Sequence, residues 1–170
     1  KVERVAGIEA RRVDHVASLL PVQVVHGDLT DDNLMRSATA HAERLLDGVI
    51  DFGDVMLSWR VAELACTISS ILHHEGASPL SVLPAIASFH RIRPLSMPEI
   101  EALWPLVVIR GAVLVASGSQ QVRNDESNDY AREGLVREES IFHSASSVPS
   151  PVMTRISAQH LGLTSSELAP

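Results

Sequence analysis

The sequence predicts a mainly α-helical chain with one small β-hairpin region near its start. Three observations carry that expectation. Apolar residues recur at three- to four-residue spacing over most of the chain, the period of a helix with one buried face. Short β-branched or aliphatic runs bounded by polar or turn-forming residues fall between residues 22 and 50. Prolines and glycines fall between these segments more often than within them, as breaks between elements should.

Taken in order, Val2 to Leu20 reads as the first helix. Val5, Ile8, Val13, Val16 and Leu19 supply its apolar stripe, and Pro21 ends it. Val22 to Val25 is a strand entering the loop HGDLTDDN, residues 26–33. Asn33 to Arg36 and Leu45 to Ile50 read as two short strands, joined through the small polar segment SATAHAE. After DFGD, residues 51–54, a loop leads to a helix from Trp59 to His74, stopped by Gly76. Pro79 and Pro84 bracket a turn and a helix to Arg91. Ser96-Met-Pro-Glu99 has the capping-box pattern, and the helix it opens runs to Gly118, with a kink expected at Pro105. Asn124 to Ser144 is a polar-faced helix with Tyr130, Leu135, Val136, Ile141 and Phe142 as its apolar contacts. Residues 1–148 form the folded unit, and 149–170 a proline-broken tail or linker with room for one short helix.

The 170 residues suffice for one domain with a real core. A hydrophobic share of 45% and a charged share of 21% are ordinary for a globular protein. The net charge of −7 leaves no broad basic face for nucleic acid. The single cysteine, Cys66, has no internal partner, which fits a reducing, cytoplasmic setting. The most apolar run, Leu103 to Ala116, is interrupted by Pro105 and Arg110 and falls short of the about 20 residues a membrane span requires. It reads as a buried helix, with Arg110 paired to an internal acid, because an unpaired buried charge is costly. The only lysine is Lys1, and no two glycines stand at G-x-G spacing, so the chain carries no phosphate-cradling glycine loop. It begins without Met inside a helical pattern, as a piece of a longer protein would.

The loops around the hairpin hold the chemistry. Asp28 and Asn33 share one loop, and Asp51 lies across the hairpin. Two oxygen-bearing ligands converging beside a further acid suit a hard divalent cation such as Mg²⁺, which takes few protein ligands. An acid left off the metal is placed to accept a proton from a hydroxyl, the layout phosphoryl transfer needs. The kinase pattern H-R-D-L-x-x-x-N followed by D-F-G has the same offset between its Asp and its Asn. The plainer alternative is two solvated turns, with Asp and Gly present for turn chemistry.

HGDLTDDNLM, then GVIDFGD, then Trp59-Arg-Val-Ala-Glu-Leu-Ala65 resembles the aminoglycoside phosphotransferase/choline kinase-like family, whose fold is protein-kinase-like, with hydroxylysine kinase-like and aminotransferase-fused members nearest in pattern. Gly27 stands where protein kinases have Arg, and no A-P-E segment follows, which favours the small-molecule branch. The resemblance covers residues 21–70 by motif. It implies the helical C-terminal lobe of an α+β kinase fold, with the N-terminal nucleotide-clamping lobe absent from these residues. It implies Asp28 as catalytic base, Asn33 and Asp51 as Mg²⁺ ligands, His26 as the orienter of the loop beside the bound nucleotide, and Glu63 as an acid holding that loop. ATP (or GTP) is the implied co-substrate, and a small, amine-bearing compound with a hydroxyl the acceptor. The alternative is a kinase-like lobe acting as a scaffold in a multidomain protein; a further rival is a phosphohydrolase using the same acids with water as nucleophile.

Other residues are expected to be structural. Asp31 and Asp32 are solvated loop residues or caps, His73-His74 meets a helix C-terminus without a metal, and Cys66 and Trp104 pack. Asp54 is either an acid near the substrate or a turn residue. Asp125, Glu126 and Asp129 are read as a helix N-terminal charge cluster ahead of a cationic-acceptor site.

Overall fold

A computed structural model describes residues 1–36, 46, 48–125 and 127–163. Its centre is one helix, α4 (Met97–Asn124), 28 residues long. The capping box that predicts its start is formed: Glu99 Oε2 accepts the Ser96 N–H at 2.9 Å and the Ser96 hydroxyl at 2.9 Å. The helix continues through Pro105 and past Gly118 without a break. Neighbouring helices compensate a proline here: Leu103, Trp104, Val107, Val108 and Ala112 are all buried around it. By length and composition α4 could cross a membrane, but more than half of that apolar window is buried by the other helices.

Those helices pack around it. The first, α1 (Val2–Val16), turns Val13 and Val16 inward and ends in a 3-10 turn, Ala17–Leu19, so the α-helix is shorter than the pattern to Leu20 suggests. The second, α2 (Arg60–Ile71), buries Val61, Leu64, Ala65 and Ile68. A capped 3-10 turn at Pro79–Val82 leads into α3 (Leu83–Ile92), whose Ile86 is buried. Next, α5 (Asp129–Ser146) crosses α4 so closely that a Cβ on Gly111 would meet the Phe142 backbone at 3.0 Å. Trp104 Nε1 donates to the Ala145 carbonyl at 3.1 Å and fixes the far end of that crossing. Ile141 and Phe142 are buried as expected, but Tyr130 is 86% exposed and Val136 68%. They lie on the outward face of α5.

The short helix for which the tail leaves room is α6 (Ser150–His160), which packs against α3 and α4 with Met153 and Ala158 buried. Pro149 and Pro151 start this helix instead of breaking it, because the first turn needs no amide hydrogen there.

The β structure is two antiparallel pairs. Strand β1 (Val22–Val25) pairs with β4 (Met56–Trp59), Val22 opposite Trp59 and Val25 opposite Met56. Strand β2 (Leu34–Met35) pairs with β3 (Gly48–Val49). The expected hairpin strands are present but shorter, and its tip, SATAHAE, lies outside the described residues. Strand β4 was expected as loop and helix start. Of the β1/β4 ribbon only Val25 is buried; Val22, Val24, Met56 and Leu57 are exposed, beside exposed Val55 and Phe52. The ribbon thus presents an apolar face continuous with the DFGD turn.

Candidate active site

The strands deliver the two acidic loops to one place, and Gly27 decides how closely they meet. Its φ is +88°, a conformation glycine adopts without strain. A Cβ there would collide with the Asp54 carbonyl. Any side chain at this position, the Arg of protein kinases included, would force the loop off the DFGD turn.

The loop's amides are held from behind. Glu63, one turn into α2, accepts the Gly27 N–H at 3.1 Å and the Leu29 N–H at 3.3 Å. The imidazole of His26 bridges both loops: Nδ1 accepts the Asp28 N–H at 3.3 Å and Nε2 lies 2.9 Å from the Ile50 carbonyl. These partners specify the neutral ring with its hydrogen on Nε2. The ring also packs against Phe52, centroids 4.9 Å apart.

Asn33 is buried, and its amide nitrogen donates to Asp28 twice, to the carbonyl at 2.8 Å and to Oδ2 at 3.2 Å. Its side-chain oxygen is therefore the atom it can offer a cation. The Asn33 carbonyl accepts the Ile50 N–H at 3.0 Å, so the residue just before Asp51 is bonded to Asn33 through its N–H and to His26 through its carbonyl. Asp51 itself has φ +62°, ψ +66° and lies exposed, with Oδ1 accepting the Gly53 N–H at 3.4 Å. A left-handed aspartate costs on the order of 1–3 kcal/mol and persists only where its surroundings impose it. The structure thus joins Asp28 to Asn33 directly and holds the residue next to Asp51 to Asn33 and His26. Asp54 contributes its main chain, over Gly27.

Arg110 does pair with an internal acid, and the acid is Asp28: its Nη2 bonds Asp28 Oδ1. Both side chains remain about a third exposed, and Arg110 Nε is buried without a partner among the described residues. Cys66 lies beneath, Sγ 3.9 Å from Asp28 Oδ1 and 3.8 Å from the Gly27 carbonyl. Burial pushes its thiol up to about 11, so it stays a neutral, weak donor. Asp31 and Asp32 are not simply solvated. Arg137 bonds Asp32 and holds its carboxyl below the usual range, while Asp31 faces His73 and His74. Asp125 caps its own turn through Ser127, Asn128 Oδ1 caps α5 at 2.9 Å, and Asp129 pairs with Arg132; Glu126 lies outside the described residues.

Beside Asp28 opens a cavity of about 280 Å³ between the loop, α2, α4 and α5. Arg110, Arg137, Glu138, Gln121, Ser69 and Tyr130 line it. Burial raises the Glu138 carboxyl, whose Oε2 has no hydrogen-bond partner among the described residues. Its wall is the part sequence reasoning missed. Only Arg110 carried a signal, as a charge inside an apolar helix.

The family profile described as "Phosphotransferase enzyme family" matches residues 1–95, which contain both acidic loops. The chain belongs to this family. It is 30% identical over 116 residues to the hydroxylysine kinase of Danio rerio, covering 65% of this chain and 32% of that protein. It is 34% identical over 90 residues to the hydroxylysine kinases of Mus musculus and Bos taurus, covering 50% of this chain and 24% of each relative. The chain thus spans about a third or less of the length of these relatives. No solved structure matches it. The family is one of phosphotransferases, and the relatives named are small-molecule kinases.

Proposed function

We propose that these residues supply the base, the metal ligands and the acceptor cavity of an enzyme that moves the γ-phosphoryl of ATP (or GTP) to a hydroxyl of a small, amine-bearing acceptor. The observation that carries this reading is the contact of Asp28 with Asn33 on a loop locked to the Asp51 turn, at the mouth of a cavity. Asp28 accepts the proton of the acceptor hydroxyl as that oxygen bonds to the γ-phosphorus and the bond to the bridging oxygen breaks. The Asn33 amide oxygen and the Asp51 carboxylate are hard oxygen donors, which fit Mg²⁺. A metal held there would supply positive charge to offset that of the phosphates. His26, Glu63 and Gly27 keep the loop in place while this happens.

One feature of the cavity supports an amine-bearing acceptor. Glu138 is half-buried, its Oε2 is covered without a hydrogen-bond partner among the described residues, and an ammonium group would supply one. Hydroxylysine, named in the relatives' activity, carries both an amine and a hydroxyl, so compounds of that kind are the first to test. The exposed apolar ribbon around β1, β4 and Phe52 is the surface against which a nucleotide-clamping lobe would sit.

The scaffold reading draws on one observation: Arg110 occupies the carboxylate that would act as base. Full-length protein with Mg²⁺, ATP and a set of hydroxylated amines decides the matter through ADP release. Acceptor-dependent ADP supports the kinase, acceptor-independent ADP the phosphohydrolase, and none the scaffold.

A further inference from the structure

A second set of metal-binding groups lies on the other side of the catalytic loop. Asp31 opens the 3-10 turn that ends at Asn33, while His73 and His74 occupy the turn that closes α2. His74 Nε2 is 3.1 Å and His73 Nε2 3.6 Å from the same oxygen, Asp31 Oδ2. The three donor atoms lie within 4.8 Å of one another. The two rings lie 4.1 Å apart, tilted by 35°, and each brings its Nε2 to the same carboxylate oxygen.

Protein groups alone leave this cluster poorly satisfied. A contact of 3.6 Å is too long for a hydrogen bond. Asp31 Oδ1 is buried without a hydrogen-bond partner among the described residues, Arg137 standing 4.0 Å away, and the buried His73 Nδ1 makes no well-formed bond beyond its approach to the Ser70 backbone. A buried polar atom without a partner costs about 1–3 kcal/mol. A cation among the three donors would take the lone pairs of both Nε2 atoms and one carboxylate oxygen. His73 Nδ1 would keep its hydrogen and face the Ser70 carbonyl, as the second nitrogen of a ligating histidine commonly does. Local charge permits it: Asp31 and Asp32 outweigh Arg137, which is bonded to Asp32 and stands 4.0 Å from Asp31.

We propose that Asp31, His73 and His74 form a site for a borderline transition-metal cation, Zn²⁺ first, distinct from the Mg²⁺ site and leaving one or more positions to water. Two imidazoles and a carboxylate suit such ions, whereas Mg²⁺ prefers an all-oxygen shell. This departs from the sequence expectation of no metal at His73-His74. Adjacency in sequence gave no hint that Asp31 converges on them. A bound ion would pin the end of α2 to the turn that carries Asn33.

The site is independent of the kinase reading and is tested without activity. Metal-stripped protein is titrated with Zn²⁺ by calorimetry in millimolar Mg²⁺, and separately with Co²⁺ followed by its visible absorption. One equivalent bound despite the Mg²⁺, weakened about 100-fold or more in His74→Ala and in Asp31→Asn, is expected, because loss of a ligand costs at least as much as loss of an outer partner. His74 and Asp31 are partly exposed, so both variants should fold, which far-UV dichroism checks. His143→Ala, on an exposed helix face, should bind as the unsubstituted protein does. No stoichiometric uptake, or equal uptake by the His74 and Asp31 variants, overturns the proposal.

Discussion

Two ion pairs tie α4 to the half of the molecule that carries the acidic loops, and they differ in almost everything but charge. In Arg60–Glu99 the acid is fully buried and both its oxygens are used. Oε1 accepts from Arg60 Nε at 2.8 Å, and Oε2 from Arg60 Nη2 at 2.6 Å and from Ser96. In Arg110–Asp28 both partners stay about a third exposed, one guanidinium nitrogen has no partner among the described residues, and a cavity lies alongside. The first pair has nothing left to bind and serves as a joint between α2 and α4. The second is incomplete, and incomplete charge pairs beside a cavity are where a ligand has something to gain.

Substitution should separate them. The largest stability loss is expected at Glu99. Glu99→Gln leaves the partly covered Arg60 guanidinium without its counter-charge and costs about 3–5 kcal/mol in denaturant unfolding. Burial opposes the charge of Glu99, but the bonds from Arg60 and Ser96 outweigh it and hold the carboxyl below its ordinary value of 4.5. A depressed acid contributes stability that is present above its unfolded pKa and lost as pH falls through the folded one. Unsubstituted protein should therefore lose stability more steeply than Glu99→Gln as pH drops below about 4.5. Parallel curves would mean the pair does not set that slope.

Next comes Met153→Ala, on the helix first read as a tail. Met153 is fully buried, and its truncation should cost about 2–5 kcal/mol. A cost near zero would return residues 150–160 to the linker class.

The smallest stability effect is expected at Arg110. Arg110→Ala removes a partly exposed pair and should shift unfolding by no more than about 1 kcal/mol. In full-length protein the same change should raise the KM for the acceptor more than it lowers kcat. An unchanged KM would detach Arg110 from the acceptor cavity.

This contrast also explains what was legible in the sequence. Asp28, Asn33 and Asp51 stood out because the resembled motif sets those residue types at fixed offsets, and the fold brings Asp28 and Asn33 into contact; Glu63 came from the same resemblance, and it does hold the loop. The capping box at Ser96 was readable because both partners lie within one turn. Strand β4 was not: its residues are mostly exposed, and only pairing with β1 makes them a strand. The continuity of α4 through Pro105 depends on neighbours that surround it, which no local pattern reports. Arg110 was readable as a residue needing an acid, but its partner stands far away in the chain, and only the fold identifies it. The cavity wall on α5 has the same origin.

One measurement tests the central claim most directly. Asp28→Asn in full-length protein keeps the side-chain volume and removes the proton acceptor. Turnover with a hydroxylated amine should fall by about 100-fold or more, the range that general-base catalysis supplies, while binding of Mg²⁺-nucleotide stays nearly intact. Turnover that survives the substitution would contradict Asp28 as the base, and with it the function assigned to the loops around it.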